Sequence, residues 1–113
     1  TQYQDSGWPK YGFEVQVNNS FPDPQKTAGL YEVVKITEAP AKDDTWFTML
    51  IRVEGKHITV QVDGKTVTDY TEPEGKKAGE DFTRVVDKGT FALQAHDPGS
   101  TVCYKSIKVR RLP

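Results

Sequence analysis

The sequence predicts an all-β fold, an antiparallel β-sandwich or jelly roll, and three observations carry that expectation. Apolar residues recur with period two along nearly every patterned segment, and no segment shows the spacing of an amphipathic helix. Gly, Pro and Asp punctuate these segments at short intervals, as turns between strands require. The chain has 113 residues, 27% of them charged, with a net charge of −1, a size that suits one domain around one core.

The elements follow in order. Residues 11–18 read Tyr-Gly-Phe-Glu-Val-Gln-Val-Asn, a strand with Phe13, Val15 and Val17 on one face and Glu14, Gln16 and Asn18 on the other. Residues 18–27 carry two prolines among polar residues and form a loop, and a weaker strand spans residues 29–36. Residues 46–53 place Phe47, Met49, Ile51 and Val53 on a core face. Glu54-Gly55-Lys56 then turns the chain into residues 57–63, with Ile58, Val60 and Val62 inward. Asp63-Gly64 is a strong two-residue hairpin signal leading into residues 65–70. Together these predict a meander from Trp46 to Tyr70. Residues 71–88 are charged and rich in glycine and lysine, and a loop of that length is either a solvated connection or a cleft wall. In the second case Arg84 is the residue expected to reach inward. The closing segment alternates through Phe91, Leu93 and Ala95, turns at Asp97-Pro98-Gly99-Ser100, and continues through Val102, Tyr104, Ile107 and Val109. This predicts a hairpin with Gln94 and His96 side by side on its polar face.

Composition narrows the function. The near-neutral charge gives no basic footprint for nucleic acid. No apolar run reaches the ~20 residues of a membrane-spanning helix, and no signal peptide is visible. Cys103 is the single cysteine, which leaves no internal disulfide and no thiolate metal site. Asp23, Asp43, Asp44 and Asp97 fall in loops where a structural calcium ion could bind, but their spacing matches no dedicated calcium loop. No cofactor is expected. Trp8, Tyr11, Tyr31 and Trp46 are the side chains able to stack on a sugar ring; Trp46 is better placed to anchor the start of its strand, and Trp8 precedes the first strand.

Several stretches taken together resemble the bacterial 3-keto-disaccharide hydrolase domain family. They are Tyr11-Gly-Phe-Glu-Val-Gln-Val17, Gly55-Lys-His-Ile-Thr-Val-Gln-Val-Asp-Gly-Lys65, Val67-Thr-Asp-Tyr-Thr-Glu-Pro73 and the whole of residues 89–113. The resemblance covers most of the chain in order. It implies a concanavalin A- and laminin-G-like jelly roll, a secreted or periplasmic location and a carbohydrate substrate. Family members carry further strands before the one resembling residues 11–17. The chain is therefore expected to be the C-terminal portion of such a domain, incomplete at its N-terminus, with a partner chain or a strand-exchanged oligomer completing the sandwich.

The chemistry implied is specific. A ketone at C3 acidifies the C2 proton, a base removes it, and the glycosidic oxygen leaves C1 with help from a general acid. Such a site needs an acid and a base tuned near working pH, plus donors for the enolate oxygen. With both strands in the concave sheet, Glu14 and Gln16 would face Gln94 and His96 across a cleft. Glu14 and His96 are the acid/base candidates. Gln16, Arg84, Gln94, Tyr31 and Trp8 are the candidates for binding the sugar. Strand faces of sandwiches also carry Glu, Gln and His toward solvent with no such role. A non-catalytic carbohydrate-binding module and a ligand-free interaction fragment therefore remain as alternatives.

Overall fold

The structure is a computed structural model that describes residues 1–2 and 4–113. It is all-β: three strands, β1 (Met49–Glu54), β2 (His57–Val62) and β3 (Lys65–Thr71), and no helix among the described residues. They form an antiparallel meander in the order β1-β2-β3. Met49 pairs with Val62 and Glu54 with His57, while His57 pairs with Thr71 and Val62 with Lys65. The register slips between Val60 and Gln61, a bulge that strengthens the local twist.

The turn chemistry fixes this register. Asp63 and Gly64 have φ of 49° and 79°, the paired positive values of the tight hairpin turn that matches strand twist. Gly64→Ala should cost about 1 kcal/mol, read as a lower urea midpoint at unchanged slope.

β2 is the central strand, and its Ile58, Val60 and Val62 are buried, as its alternation predicts. They form the core with Ala28 and Leu30. A second, irregular layer covers them. Tyr31 N donates to Glu14 O (3.0 Å), Gln16 N to Gly29 O (2.9 Å) and Thr27 N to Asn18 O (2.9 Å), so residues 14–18 and 27–31 run antiparallel. Thr68 on β3 ties that layer to the sheet through a buried bond from Oγ1 to Ala28 O, 2.7 Å. Thr68→Val is expected to cost about 1–3 kcal/mol by leaving that carbonyl unpaired in the interior, measurable by thermal melting.

Several expected strands are shorter or absent. Residues 11–18 and 29–36 contribute only isolated bridges, Val15 to Leu30 and Leu30 to Val34. The cause is local: Ala28 sits at φ 71°, and both Ala28 N and Gln16 N engage the Gln16–Gly29 step, which breaks the ladder as a bulge does. The expected strand at 46–53 begins at Met49, and Ile51 and Val53 are about half exposed (49% and 48%) although they share the core face of β2. Of that β1 face, Met49 is partly buried and packs against the core. Trp46 is exposed rather than an anchor, with Lys105 Nζ 4.1 Å from its ring centroid. The closing hairpin keeps its turn, Ser100 N donating to Asp97 O at 3.2 Å. Its arms form no strand, and Phe91, Leu93, Val102, Ile107 and Val109 are exposed. An alternating pattern makes a strand only where a neighbouring backbone accepts its hydrogen bonds; among the described residues Thr1 does so at the start of the segment, accepting from Thr90 N at 2.8 Å, and the alternating residues beyond it have no such neighbour.

The 71–88 loop is anchored through Glu72. Its buried carboxylate accepts from Lys56 Nζ and from Val86 N, the latter at 2.6 Å. Burial alone would raise its pKa, but the bonds from Lys56 and Val86 and the charges of Lys56 and Lys76 outweigh that and hold it below the ordinary carboxylate value. The stabilisation is therefore present above the unfolded pKa and is lost as pH falls through the lower folded one. Glu72→Ala should remove about 1–3 kcal/mol by orphaning the Val86 amide and should flatten the acid side of the stability profile.

Candidate functional site

The irregular layer presents Glu14 and Tyr31 beside one another, because their backbones are bonded across the Val15–Leu30 bridge. Opposite them the 71–88 loop folds back onto the N-terminal segment. Thr83 N donates to Lys10 O (2.8 Å), and Gly12 N donates to Thr83 Oγ1 (3.0 Å). This docking carries Arg84 inward, to 9% exposure.

Arg84 and Glu14 face each other, Nη2 to Oε2 at 3.7 Å. The guanidinium also donates from Nη1 to Gly12 O at 3.3 Å and lies 4.7 Å from the Phe82 ring centroid. Its Nε and Nη2 are buried with no hydrogen-bond partner among the described residues. Arg84 adopts φ 44°, a left-handed conformation that costs a non-glycine residue of order 1 kcal/mol or more and clusters at functional sites.

The electrostatics follow from burial. Desolvation raises the Glu14 pKa above the ordinary carboxylate value, and this prevails over the lowering by Arg84 and His96; Asp23 adds to the rise. Desolvation depresses Arg84, with Glu14, Glu32 and Tyr31 partly restoring it. Tyr31 donates its hydroxyl to Asp23 Oδ2 at 3.4 Å. Its pKa is raised by desolvation first, then by the charges of Asp23 and Glu32.

His96 lies within electrostatic reach of Glu14. Its ring meets that of Trp8 edge to face, with centroids 4.7 Å apart at 80°, and its Nδ1 is 3.5 Å from Asp97 Oδ1. The structure thus gathers Glu14, Arg84 and Tyr31, with His96 and the exposed Trp8 at the rim. Two sugar-binding candidates stand apart. Gln16 is half-buried and its Nε2 points to Gln25 O at 3.5 Å, while Gln94 is exposed on a segment that forms no strand. The facing of two strand surfaces across a cleft is replaced by a loop arginine facing a glutamate of the irregular layer.

Asp23 and Glu32 belong to the same charge cluster, and residue patterns alone did not single them out for it. Asp23 sits between two prolines in the loop, a rigid setting that marks a fixed side chain; nothing in the sequence around Glu32 marks it. Asp23 also accepts from Gln25 N at 2.7 Å, and Asp43 and Asp44 are exposed. Among the described residues no group of three or more His, Cys, Asp or Glu could hold a metal ion. A surface hollow of 360 Å³ lies between Pro40 and the Val62–Val67 hairpin and includes none of the gathered residues. Perturbed ionisable groups, not volume, mark the Glu14 site.

No curated protein and no solved structure matches the chain. A family profile does, described as the 3-keto-alpha-glucoside-1,2-lyase-like domain, over residues 1–110. With a match spanning nearly the whole length, and with the all-β fold already on hand, the chain belongs to the 3-keto-alpha-glucoside-1,2-lyase-like domain family.

Proposed function

We propose that the domain cleaves 3-keto-glucosides by elimination, with Glu14 as the base. The observation that carries this reading is the Glu14–Arg84 pair. A partly buried carboxylate with a raised pKa faces a buried guanidinium whose Nε and Nη2 make no hydrogen bond among the described residues. A base works best with its pKa lifted toward working pH, and a fixed cation with free donors suits a developing oxyanion.

The reaction balances as follows. Glu14 takes the C2 proton, and the C2–H electron pair forms the C2–C3 enolate, whose oxygen charge rests against Arg84. As the C3 carbonyl re-forms, the pair moves to make the C1–C2 double bond, and the C1–O bond breaks. His96 supplies a proton to the departing aglycone oxygen. Water adding across the double bond then yields the free 3-keto sugar. Trp8 and Tyr31 lie against the sugar. No cofactor or structural calcium ion enters the scheme. The family resemblance supports action on carbohydrate outside the cytoplasm, in secreted or periplasmic form.

The test is a 3-keto-glucoside with a chromophoric leaving group, followed in deuterated buffer. Expected are chromophore release and exchange at C2, both abolished by Glu14→Gln. The absence of both release and exchange would overturn the reading. The exposure of Trp8 beside His96 favours a second reading, a carbohydrate-binding module on the same surface. That reading predicts saturable binding of the keto-glucoside with no C2 exchange.

A further inference from the structure

We infer that two copies of this chain associate by laying the C-terminal arm of each, residues 101–109, along the free edge of β1 in the other. β1 pairs on one side only, with β2, so its outer edge offers unpaired backbone donors and acceptors, a template for another strand. Its core-facing Ile51 and Val53 are half exposed. The arm has the complementary deficiency. Val102 and Tyr104, then Ile107 and Val109, keep the strand alternation on either side of Ser106, whose φ of 54° supplies the one-residue shift that a bulge makes. All four are exposed, and the described arm pairs with nothing.

Among the described residues the arm reaches the approach to β1, where Lys105 lies over Trp46. Charge favours a second copy as the occupant. From residue 98 onward the arm carries Lys105, Lys108, Arg110 and Arg111 and no acidic residue, while the whole chain is −1. The body it leaves is therefore acidic, with Asp43 and Asp44 exposed before β1, while Glu54 at its end is paired with Arg52 at 2.7 Å. The area also suffices. The six apolar side chains named expose on the order of 500 Å² per chain, so reciprocal exchange buries about 1,000 Å², the floor for a specific interface. Reciprocity closes the pair as a two-fold dimer and prevents an open fibre. This association stands independently of the proposed chemistry.

If Val102 and Tyr104 join Ile51 and Val53 on the inner face, Cys103 falls on the outer face with Arg52. Mild oxidation of Arg52→Cys should therefore link two chains between residue 52 of one and Cys103 of the other, identified by peptide mapping. Light scattering on the native chain should give a dimer mass at high concentration. Val53→Lys and, separately, Ile107→Lys should each weaken dimerisation at least ten-fold. A native chain that stays monomeric at all concentrations overturns the inference. So does a dimer that both lysine variants leave intact, or an oxidised Arg52→Cys sample with no 52–103 linkage. If a lysine variant fails to fold, the native mass and the cross-link still decide.

Discussion

Glu14→Gln is expected to lower turnover of a 3-keto-glucoside by ~10²–10⁴-fold, the range that a positioned base contributes, with little change in affinity. The amide keeps the shape and one acceptor but cannot take a proton from carbon, so the loss falls on kcat rather than KM. The pH profile separates this role from a structural one. Because burial raises the Glu14 pKa, activity should rise with pH along a limb displaced above the ordinary glutamate value, as the carboxylate forms. Arg84 lowers that pKa, so Arg84→Met should move the limb to still higher pH while also reducing kcat through loss of the enolate partner. A limb that stays put in Arg84→Met would sever the electrostatic link between the two residues.

Leu30→Ala should be the most destabilising of the substitutions considered, by about 2–5 kcal/mol, the cost of emptying a buried leucine site. Leu30 is fully buried and closes both bridges of the covering layer, to Val15 and to Val34. Its backbone donates to Val34 O at 3.0 Å and accepts from Val33 N and Val34 N at 2.8 Å. The cavity would therefore open where the layer is pinned to the sheet, with little spare packing to collapse into it. The next residue, Tyr31, is bonded to Glu14, so the loss should also loosen the site. Leu50→Ala on the exposed face of β1 is the control and should stay within ~0.5 kcal/mol. Urea unfolding at constant slope reads both. Equal costs for the two would show that the core does not centre on Leu30.

The parts of the fold legible in the sequence are those whose causes are local. β2 and β3 follow from period-two alternation and from Asp63-Gly64, where the residue types themselves dictate the positive φ. The break at Ala28 carries no such mark, because alanine rarely adopts a positive φ and only the packing of residues 27–31 against residues 14–18 imposes it. The closing hairpin shows the converse. Its turn residues form the turn, yet its alternation describes a partner strand that the arm does not meet among the described residues.

The site divides along the same line. Legible in the residues alone are the all-β class, the central hairpins, the family, and the residue types that could act on a sugar: Glu14, His96, Arg84, Tyr31 and Trp8. The tertiary structure decided which of these meet. It docked the 83–84 step onto residues 10–12, buried the guanidinium against Glu14, brought in Asp23 and Glu32, and left Gln94 in solvent. Periodicity reports which face of a segment is apolar. A pKa shift and an orphaned donor arise from desolvation by segments distant in sequence, and only the folded chain supplies those.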